Sequence, residues 1–345
     1  MKLPVHEQLR DRLEQHWKPH DTARIFITGG TGFFGKWLLH SFLWAKHEFG
    51  LKTSLTLLSR DPKRFLSQNP QFQDPSIRFI AGDVLSFSPP EEPFDLIIHG
   101  ATDASDQLNR EQPMVMIDTI LTGTRKLLDF AIKSQAKRFL FLSSGAIYGT
   151  QSDPEQLCNE AQRTAPNLED PRSAYGEAKR LAELLCTIYF HQQGLETVSA
   201  RGYAFVGPYL PLDTHFAVGN FIGNALSGKP IEIKGDGKPL RSFLYGEDLG
   251  IWLWELLFCG QPGESYNLGS EEKISILELA QLVQSIAPQP IEIIGPAQPP
   301  GAQQHVYVPS IQKAQATLGL QVWTPLEKGI QKTIQWHLQQ GSPIV

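Results

Sequence analysis

Residues 25–35 read Ile-Phe-Ile-Thr-Gly-Gly-Thr-Gly-Phe-Phe-Gly, and this stretch decides the fold. The first four residues form an apolar run of strand length, and a helical pattern follows over about residues 32–49. Glycine-rich backbone between a strand and a helix permits a tight turn and a close approach to a ligand. Because the first N–H groups of a helix have no partner within it, the arrangement predicts an anion site at the helix N-terminus.

Each glycine of this turn has a separate predicted role. Gly29 permits the tight turn, Gly32 lets the backbone approach a pyrophosphate, and Gly35 lets the helix pack closely on the strand. The interval from Gly29 to Gly32 is one residue longer than in the usual G-x-G-x-x-G pattern. A dinucleotide cofactor is the predicted ligand, and a glycine-rich turn without a ligand is the alternative. The predicted contacts are Gly29, Thr31, Gly32, Phe33, Phe34 and Gly35.

Apolar runs of strand length alternate with helical patterns after this turn. Strands are predicted at residues 54–58, 77–80, 95–99 and 138–144, and a helix over residues 113–135 precedes the last of them. This alternation is typical of parallel strands buried under helices on both faces. The predicted fold class is therefore α/β, with a Rossmann-type doubly wound parallel sheet and a smaller C-terminal α+β substrate domain.

The boundaries of these regions follow from a change of pattern near residue 203, where glycines and prolines begin to punctuate short segments. We predict a helical extension over residues 1–22, the Rossmann domain over 23–202 and the substrate domain over 203–345. An apolar helix over residues 246–259 is expected to pack back on the Rossmann domain. One face of the extension carries apolar residues at spacings of four, namely Val5, Leu9, Leu13 and Trp17.

The composition narrows the class of protein. The chain has 345 residues, a hydrophobic content of 41% and a formal net charge of −5, so we expect neither a nucleic-acid partner nor a membrane partner. Its apolar stretches are shorter than the roughly 20 residues that a membrane helix needs. Cys158, Cys186 and Cys259 lack the spacing of a disulfide framework or a zinc site, which predicts a cytoplasmic protein without a metal.

The ends of the predicted strands supply further candidate contacts, because open α/β sheets bind ligands at the carboxyl ends of their strands. The second strand ends in Ser59 and Arg60, where NAD-binding proteins place an acidic residue for the ribose hydroxyls. This pair leaves room and positive charge for a 2′-phosphate, so of NAD and NADP it favours NADP. Arg60 can equally begin a solvated loop. The other strand-end candidates are Asp83, Val84, Ala101 and Thr102.

A second motif predicts chemistry. Residues 173–179 begin a helix on which Tyr175 and Lys179, four residues apart, share one face, and a strand ends at Ser144 about 30 residues earlier. The spacing alone is common by chance, and it gains weight from the glycine turn upstream. An ammonium group beside a phenol favours the phenolate, so Lys179 is expected to lower the pKa of Tyr175 and make it a base. Ser144 is expected to hydrogen-bond the same substrate oxygen.

Taken together, these motifs resemble the extended short-chain dehydrogenase/reductase family, in its nucleotide-sugar epimerase/dehydratase branch. The resemblance covers residues 24 to about 335 through TGGTGFFG, SSGAIYG, SAYGEAKR, VGPY, GKPIEIKGDGKPLRSFLYGEDL and YNLGS. It implies a cofactor, NAD or NADP, in the Rossmann domain and a nucleotide-activated sugar in the C-terminal domain. It also implies catalysis by Ser144, Tyr175 and Lys179, and a homodimer.

Two positions narrow the reaction that this resemblance implies. In the family's 4,6-dehydratases an Asp-Glu pair follows the serine, and its decarboxylases carry the glutamate. Here Gly145 and Ala146 stand at these positions and cannot transfer a proton. We therefore expect epimerisation or one-way ketone reduction by hydride transfer at a sugar carbon. Oxidation and re-reduction at one carbon need only Ser144, Tyr175 and Lys179. Epimerisation next to a transient ketone would need a further acid or base, and the candidates are Cys158, Glu160, Tyr203 and His215.

Two alternatives stay open. One is a dehydratase or decarboxylase whose acid comes from outside positions 145 and 146. The other is a non-catalytic NAD(P)-binding regulator on the same fold, because a fold does not fix a function. An intact set of Ser144, Tyr175 and Lys179 argues against the regulator, since a sensor has no use for these residues.

The resemblance also implies substrate contacts at Asn220, Lys234 and Arg241, which match positions that contact the diphosphate or the nucleotide. Arg241 is the strongest of them, because a guanidinium binds phosphate through paired hydrogen bonds. Lys234 can equally be a solvated loop residue. The nucleotide and the sugar stay open, because three sites depart from the family pattern: Ile120 and Ala204, where asparagine is usual, and residues 306–310, which lack the usual basic residue.

Overall fold

A computed structural model describes residues 7–102, 106–151, 153, 155–213, 216–295 and 305–340 of the chain. The strands in these residues are β1 (Arg24–Thr28), β2 (Ser54–Ser59), β3 (Ile77–Ala81), β4 (Leu96–His99), β5 (Arg138–Ser144), β6 (Glu196–Gly202), β7 (Phe205–Val206), β8 (Ile231–Glu232), β9 (Leu240–Arg241), β10 (Leu244–Tyr245), β11 (Ser265–Leu268), β12 (Ile274–Ser275), β13 (Ile293–Ile294) and β14 (Val306–Tyr307).

Helices alternate with these strands through most of the chain. They are α1 (Glu7–Trp17), α2 (Phe33–Phe49), α3 (Pro62–Gln68), α4 (Asp106–Glu111), α5 (Pro113–Lys133), α6 (Ala174–Gln193), α7 (Ala217–Ser227), α8 (Gly246–Cys259), α9 (Ile276–Ile286), α10 (Gln312–Leu318) and α11 (Leu326–Gln340). Among the helices described, none combines the length and the apolar character needed to cross a bilayer.

Seven strands of the described chain form one parallel sheet in the order β11-β6-β5-β4-β1-β2-β3. The strand order reverses at β1, which pairs with β2 on one side and with β4 on the other. A crevice for a ligand forms at such a switch point, outside the carboxyl ends of the strands. This confirms the predicted doubly wound α/β sheet, and the strands predicted before residue 145 lie within one residue of their observed bounds.

The predicted N-terminal helix is present as α1, which packs on α2 and α8. Leu9, Leu13 and Trp17 are buried there, and the Trp17 ring lies 4.8 Å from that of Trp254. Val5, the fourth apolar position of the predicted face, lies outside the described residues. Because the buried face follows the predicted spacing of four, apolar burial holds α1 against the main fold.

An ion pair reinforces the contact between α1 and α8. Nδ1 of His16 lies 2.8 Å from a carboxylate oxygen of the buried Glu255, and Nε of Arg12 lies 3.6 Å from the same oxygen. The ligand atoms of His16, Glu255 and Cys259 lie within 4.8 Å of one another, close enough to resemble a metal site. The carboxylate already contacts the Arg12 guanidinium and the His16 ring, so docking of α1 accounts for this cluster.

Two elements from beyond residue 202 join the parallel sheet and its helical layers. Strand β11 pairs with β6 at the sheet edge, and helix α8 packs on α2. Nε1 of Trp254 on α8 donates to Oγ of Ser41 on α2 at 2.9 Å. A Cβ added at Gly246 would lie 2.1 Å from the Trp37 ring, so the two helices approach closely at that glycine.

The remaining C-terminal elements build a separate hydrophobic cluster around α7, α9 and α11. Its buried side chains include Phe221, Ile222, Leu279, Val283 and Ile330. Short strands border this cluster, and one small sheet has the order β12-β9-β14. Within that sheet Tyr307 on β14 is paired with Arg241 on β9, which places an aromatic ring and a guanidinium side by side.

Candidate active site

The glycine turn lies at the switch point of the sheet, between β1 and α2. Gly29 has a φ of 74°, a left-handed conformation that favours glycine. The amide of Gly32 donates to the carbonyl of Gly29 at 3.2 Å, and Gly32 is the N-cap of α2 without a capping side chain. The first N–H groups of α2 therefore stay available to an anion at this end of the helix.

The surroundings of the three glycines show which of them are required by packing within the protein and which is not. A Cβ at Gly29 would lie 2.4 Å from the backbone of Gly100, and one at Gly35 would lie 2.2 Å from that of Gly30. A Cβ at Gly32 would have its nearest neighbour 3.6 Å away, so the protein itself does not require glycine there. A Cβ at position 32 thus meets no steric conflict within the protein, so a requirement for glycine there fits close approach of a dinucleotide.

The other predicted cofactor contacts line the same edge of the sheet. Ser59 is buried at the end of β2 and Arg60 is exposed just beyond it. The carboxylate of the next residue, Asp61, caps α3 by accepting from the Arg64 amide at 3.0 Å. The carboxylate of Asp83 likewise accepts from a backbone amide of its own turn.

Strand β4 ends in a buried histidine, His99, next to the predicted contacts Ala101 and Thr102. Nδ1 of His99 lies 2.7 Å from Oγ1 of Thr28, and its Nε2 lies 3.1 Å from Oγ1 of Thr124. Burial, helped by the charge of Lys179, lowers the pKa of His99 to about 3, so the ring is neutral. Oγ1 of Thr28 also accepts from the amide of Ala101, so His99 links the strand ends to the predicted cofactor contacts.

Ser144 and Lys179 meet at the carboxyl end of β5. Oγ of Ser144 accepts from the amide of Ala146 at 3.1 Å, which fixes the start of the short 3-10 helix at residues 145–148. Nζ of Lys179 is buried and donates to the carbonyl of Leu142 at 2.7 Å and to Oγ1 of Thr102 at 3.0 Å. Burial lowers the pKa of Lys179 to about 7.

Tyr175 completes the predicted set on the first turn of α6. Burial of its phenol raises its pKa, and a hydrogen bond with Ser144 acts in the opposite direction. This corrects the expectation that Lys179 lowers this pKa. The ammonium lies 5.9 Å from the centre of the Tyr175 ring and is directed at Leu142 and Thr102. In a buried site the charge of Lys179 is itself disfavoured, so Ser144 is the group that assists ionisation of Tyr175.

A tyrosine from the C-terminal part, Tyr307, also reaches this centre. Its hydroxyl lies 3.5 Å from Oγ of Ser144, and its ring lies 4.6 Å from that of Tyr203. The Tyr203 ring is packed on Gly145, where an added Cβ would lie 2.6 Å from a ring atom. From the sequence, residues 306–310 are recognised only as a departure from the family pattern. The feature of the sequence that could have indicated this contact is Tyr307 itself, in the segment where the family's basic residue is absent.

The predicted candidates for a second acid or base have other partners. A carboxylate oxygen of Glu160 accepts from the amide of Asn267 at 2.7 Å. Burial raises the pKa of Cys158 and that of Tyr203, so both stay neutral near neutral pH. His215 lies outside the described residues. The Glu160 carboxylate therefore stabilises the backbone at Asn267, and Cys158 and Tyr203 pack as uncharged side chains.

Among the predicted substrate contacts, Arg241 contacts Tyr307, whose hydroxyl lies near Ser144. Its guanidinium lies 5.8 Å from the centre of the Tyr307 ring and donates to the carbonyl of Leu240 at 2.8 Å. Burial lowers the pKa of Arg241, so an anion beside it would be favoured. Asn220 is half-buried on α7, and Lys234 is exposed just after β8.

The chain belongs to the NAD-dependent epimerase/dehydratase family, whose model matches residues 25–269. Among curated proteins it is similar to UDP-glucuronic acid decarboxylase 1 of Danio rerio, with 31% identity over 98% of this chain and 80% of the relative. It is also 30% identical to UDP-glucuronic acid decarboxylase 6 of Arabidopsis thaliana, over 89% of this chain and 86% of that protein.

Solved structures show the same fold. UDP-glucose 4-epimerase from Thermotoga maritima aligns over 92% of this chain and 100% of its own, with a TM-score of 0.77 and 21% identity. The dTDP-glucose 4,6-dehydratase DesIV from Streptomyces venezuelae, solved with NAD bound, has a TM-score of 0.77 and 21% identity, over 92% of this chain and 97% of its own. The family confirms a nicotinamide dinucleotide as the cofactor class.

Proposed function

We propose that this protein is an NAD(P)-dependent enzyme that acts on a nucleotide-activated sugar by hydride transfer at one sugar carbon, as an epimerase or a ketoreductase. The observation that carries the proposal is the meeting of Ser144, Tyr175 and Lys179 at the sheet edge onto which the glycine turn opens. Hydride transfer at a sugar carbon requires a proton carrier and a hydrogen-bonding group beside the cofactor, and these three residues supply such groups at the ligand crevice.

Each residue has a distinct part in this chemistry. The N–H groups at the start of α2 would hold the pyrophosphate of the cofactor, whose nicotinamide would accept and return the hydride. Tyr175 removes the proton of the reacting sugar hydroxyl or returns it to a ketone oxygen. Ser144 donates a hydrogen bond to that oxygen and orients it. Lys179 holds Thr102, one of the predicted cofactor contacts, and the Leu142 carbonyl through hydrogen bonds, and so positions the cofactor side of the site.

Dehydration through positions 145 and 146 is disfavoured by packing as well as by residue type. The Tyr203 ring fills the space beside Gly145, so a carboxylate there would have no room. The side chain at position 146 is the methyl group of Ala146, which cannot donate or accept a proton. We therefore place the chemistry on hydroxyl groups, with Ser144 and Tyr175 as its proton carriers.

A decarboxylase is the second candidate, and the UDP-glucuronic acid decarboxylases among the relatives favour it. Oxidation of a uronic acid at the carbon next to the one that bears the carboxylate puts a ketone β to that carboxylate. A β-keto acid loses carbon dioxide readily, so the Ser144, Tyr175 and Lys179 set is sufficient for the oxidation that permits this loss. The absent glutamate at Ala146 weighs against this candidate.

We assign the sugar nucleotide to the C-terminal part, residues 203–345, and the cofactor to residues 23–202, with residues 1–22 as a helical extension. Arg241 supports this division, because its half-buried guanidinium lies beside Tyr307 at the edge of the candidate site. We propose Arg241, with Asn220 and Lys234, as contacts of the diphosphate or nucleotide. Free cysteines in the described chain support the reducing compartment of the cytoplasm.

We also propose that the enzyme is a homodimer. Helices α5 and α6 pack together and leave apolar side chains in solvent along their outer surface. Leu181, Leu184 and Ile188 recur on one face of α6 at helical spacing, with exposed fractions of 45%, 52% and 36%. Met114 and Val115 are exposed on α5. Such a patch fits a self-complementary surface shared by two copies.

The proposal is tested by mass spectrometry of nucleotide sugars after incubation with the protein and NAD or NADP. UDP-glucose, dTDP-glucose and UDP-glucuronic acid are supplied separately, each also with the Gly32→Val variant as a control that should not bind the cofactor. A product of unchanged mass that chromatography separates from the substrate identifies an epimerase, and loss of carbon dioxide identifies the decarboxylase. Loss of water from dTDP-glucose would contradict the assignment of proton transfer to hydroxyls alone. A ketoreductase would be recognised by reduction of a supplied keto sugar nucleotide.

A further inference from the structure

Tyr307 is not needed by the mechanism above, yet its hydroxyl lies among the groups that carry it. Strand β14 brings this residue from the far end of the chain to the carboxyl end of β5. Its hydroxyl lies 3.5 Å from Oγ of Ser144 and 3.4 Å from the carbonyl oxygen of Gly202. The Tyr307 hydroxyl has one proton, so it can donate either to Ser144 or to the Gly202 carbonyl, which lie at nearly equal distances.

We propose that Tyr307 is a positioning residue that sets the direction of the Ser144 proton and thereby stabilises the ionised form of Tyr175. The proposal rests on the role given to Tyr175 in the proposed function. In the site without substrate and with Tyr175 ionised, Tyr307 donates to Ser144, and Ser144 donates its only proton to the phenolate. With Tyr175 neutral, the chain reverses: Tyr175 donates to Ser144, Ser144 to Tyr307, and Tyr307 to the Gly202 carbonyl.

The hydrogen-bonding capacity of Ser144 makes this reversal necessary. A serine hydroxyl has one proton and two acceptor positions. One acceptor position is taken by the amide of Ala146 at 3.1 Å. The second acceptor position can accept a hydrogen bond from either Tyr175 or Tyr307. Ser144 then donates its single proton to the other of these two phenols. Tyr175 and Tyr307 therefore compete for opposite roles at one oxygen, and the protonation state of Tyr175 decides which role each takes.

The ionised arrangement gains more from Tyr307 than the neutral one does. Hydrogen bonds to an ionised acceptor are roughly twice as strong as those between neutral groups, and successive bonds in a chain polarise one another. Burial raises the pKa of Tyr307, so its proton stays in place as that of Tyr175 leaves. The present distances are long for such bonds, as is common before a substrate closes a site.

The frame around Tyr307 keeps its ring in place when the hydroxyl alone is removed. The ring packs against Tyr203 at 4.6 Å, and the Arg241 guanidinium lies 5.8 Å from its centre. The charged and titratable groups facing the pair of phenols are Lys179 beside Tyr175, and Arg241, Tyr203 and Cys158 beside Tyr307. The Tyr307→Phe variant keeps the ring and all of these neighbouring groups, and it removes only the hydroxyl.

The test is a pH titration of Tyr175 by NMR of protein labelled with 13C at the tyrosine ring carbon that bears oxygen. Tyr175→Phe identifies the resonance. In Tyr307→Phe the Tyr175 titration should move to higher pH, and turnover at neutral pH should fall about threefold to tenfold, the range expected for one hydrogen bond. Tyr203→Phe is the matched control: it removes a hydroxyl from the same aromatic pair and should leave the Tyr175 titration unchanged.

A Ser144→Ala background tests the route of the effect. Because Tyr307 acts through Ser144, adding Tyr307→Phe to Ser144→Ala should produce no further movement of the titration. An unchanged Tyr175 titration in Tyr307→Phe, or an equal movement in both backgrounds, would overturn the proposal. Titration is measured without substrate, so this result is independent of turnover. Failure of the proposed function would appear instead as full turnover by Tyr175→Phe.

Discussion

Lys179 combines burial with a titratable amine, and this combination makes the stability of the protein depend on pH. Its pKa is lowered to about 7 by burial, whereas an unfolded lysine titrates near 10.4. Between these two values the unfolded chain binds more protons than the folded chain. Lys179 therefore makes the free energy of unfolding rise with pH from about 7 to about 10, and it contributes a constant penalty below that range.

Replacement by methionine, which cannot ionise, should remove this dependence. We expect the difference in free energy of unfolding between the native protein and Lys179→Met to move in favour of the native protein as the pH rises from about 7 to about 10, by up to about 1.4 kcal/mol per pH unit. Urea unfolding at a series of pH values measures this difference. A difference that does not change with pH would show that the amine is solvated rather than buried.

Gly145 is a residue at which packing limits what chemistry the site could acquire. An added Cβ would lie 2.6 Å from the Tyr203 ring. Gly145→Asp should therefore lower the free energy of unfolding by about 1–3 kcal/mol, the usual cost of overpacking. At Gly235 an added Cβ would meet no described atom within 4 Å, so Gly235→Asp is the control. Equal stability of the two variants in urea unfolding would show that Tyr203 does not restrict position 145.

We predict that Arg60 contributes to the affinity for NADP. The structure leaves this side chain exposed at the end of β2, and Asp61 is engaged as the cap of α3. If Arg60 meets the 2′-phosphate, Arg60→Ala should weaken NADP about tenfold and leave NAD unchanged, as expected for one charge-assisted hydrogen bond. Lys63→Ala, an exposed charge on α3, is the control. Fluorescence titration with both cofactors measures this, and unchanged NADP affinity would make Arg60 a surface charge.

At the scale of elements, the predictable part of the fold is the part that local periodicity determines. Buried parallel strands read as short apolar runs, and their bounds before residue 145 were predicted to within one residue. Strand β11, by contrast, joins the sheet edge after a long excursion of the chain, and no local pattern indicates which sheet a four-residue strand will join. The two-residue strands of the C-terminal part are shorter still and depend wholly on tertiary pairing.

The outer face of α6 leads to a prediction about assembly. Leu184 is 52% exposed in the isolated chain, on a face that also carries Leu181 and Ile188. Leu184→Glu should convert a dimer to a monomer, because a charge buried at an apolar interface is costly. Leu338→Glu, at a leucine 54% exposed on α11, should leave the dimer intact. Sedimentation velocity distinguishes the two states, and a dimer that persists in Leu184→Glu would place the interface elsewhere.

At the scale of the whole molecule, the candidate site joins residues that lie far apart in the chain. The glycine turn and the set of Ser144, Tyr175 and Lys179 could be predicted from sequence, because each sits in a local strand-and-helix motif. The contacts of Tyr307 with Ser144 and of Tyr203 with Gly145 could not, because they arise only when the C-terminal part packs on the sheet. The raised pKa of Tyr175 was also missed, because burial is a property of the folded chain.

The central claim is that Tyr175 transfers the proton in a hydride-transfer reaction on a nucleotide sugar. The most direct measurement is turnover by Tyr175→Phe, with the substrate and cofactor found by mass spectrometry. We predict that turnover falls by roughly 10² to 10⁴, the range for loss of a general acid or base, while substrate binding changes much less. Tyr189→Phe, on the same helix with its hydroxyl bonded to Asp129, should retain turnover. Normal turnover by Tyr175→Phe would contradict the account.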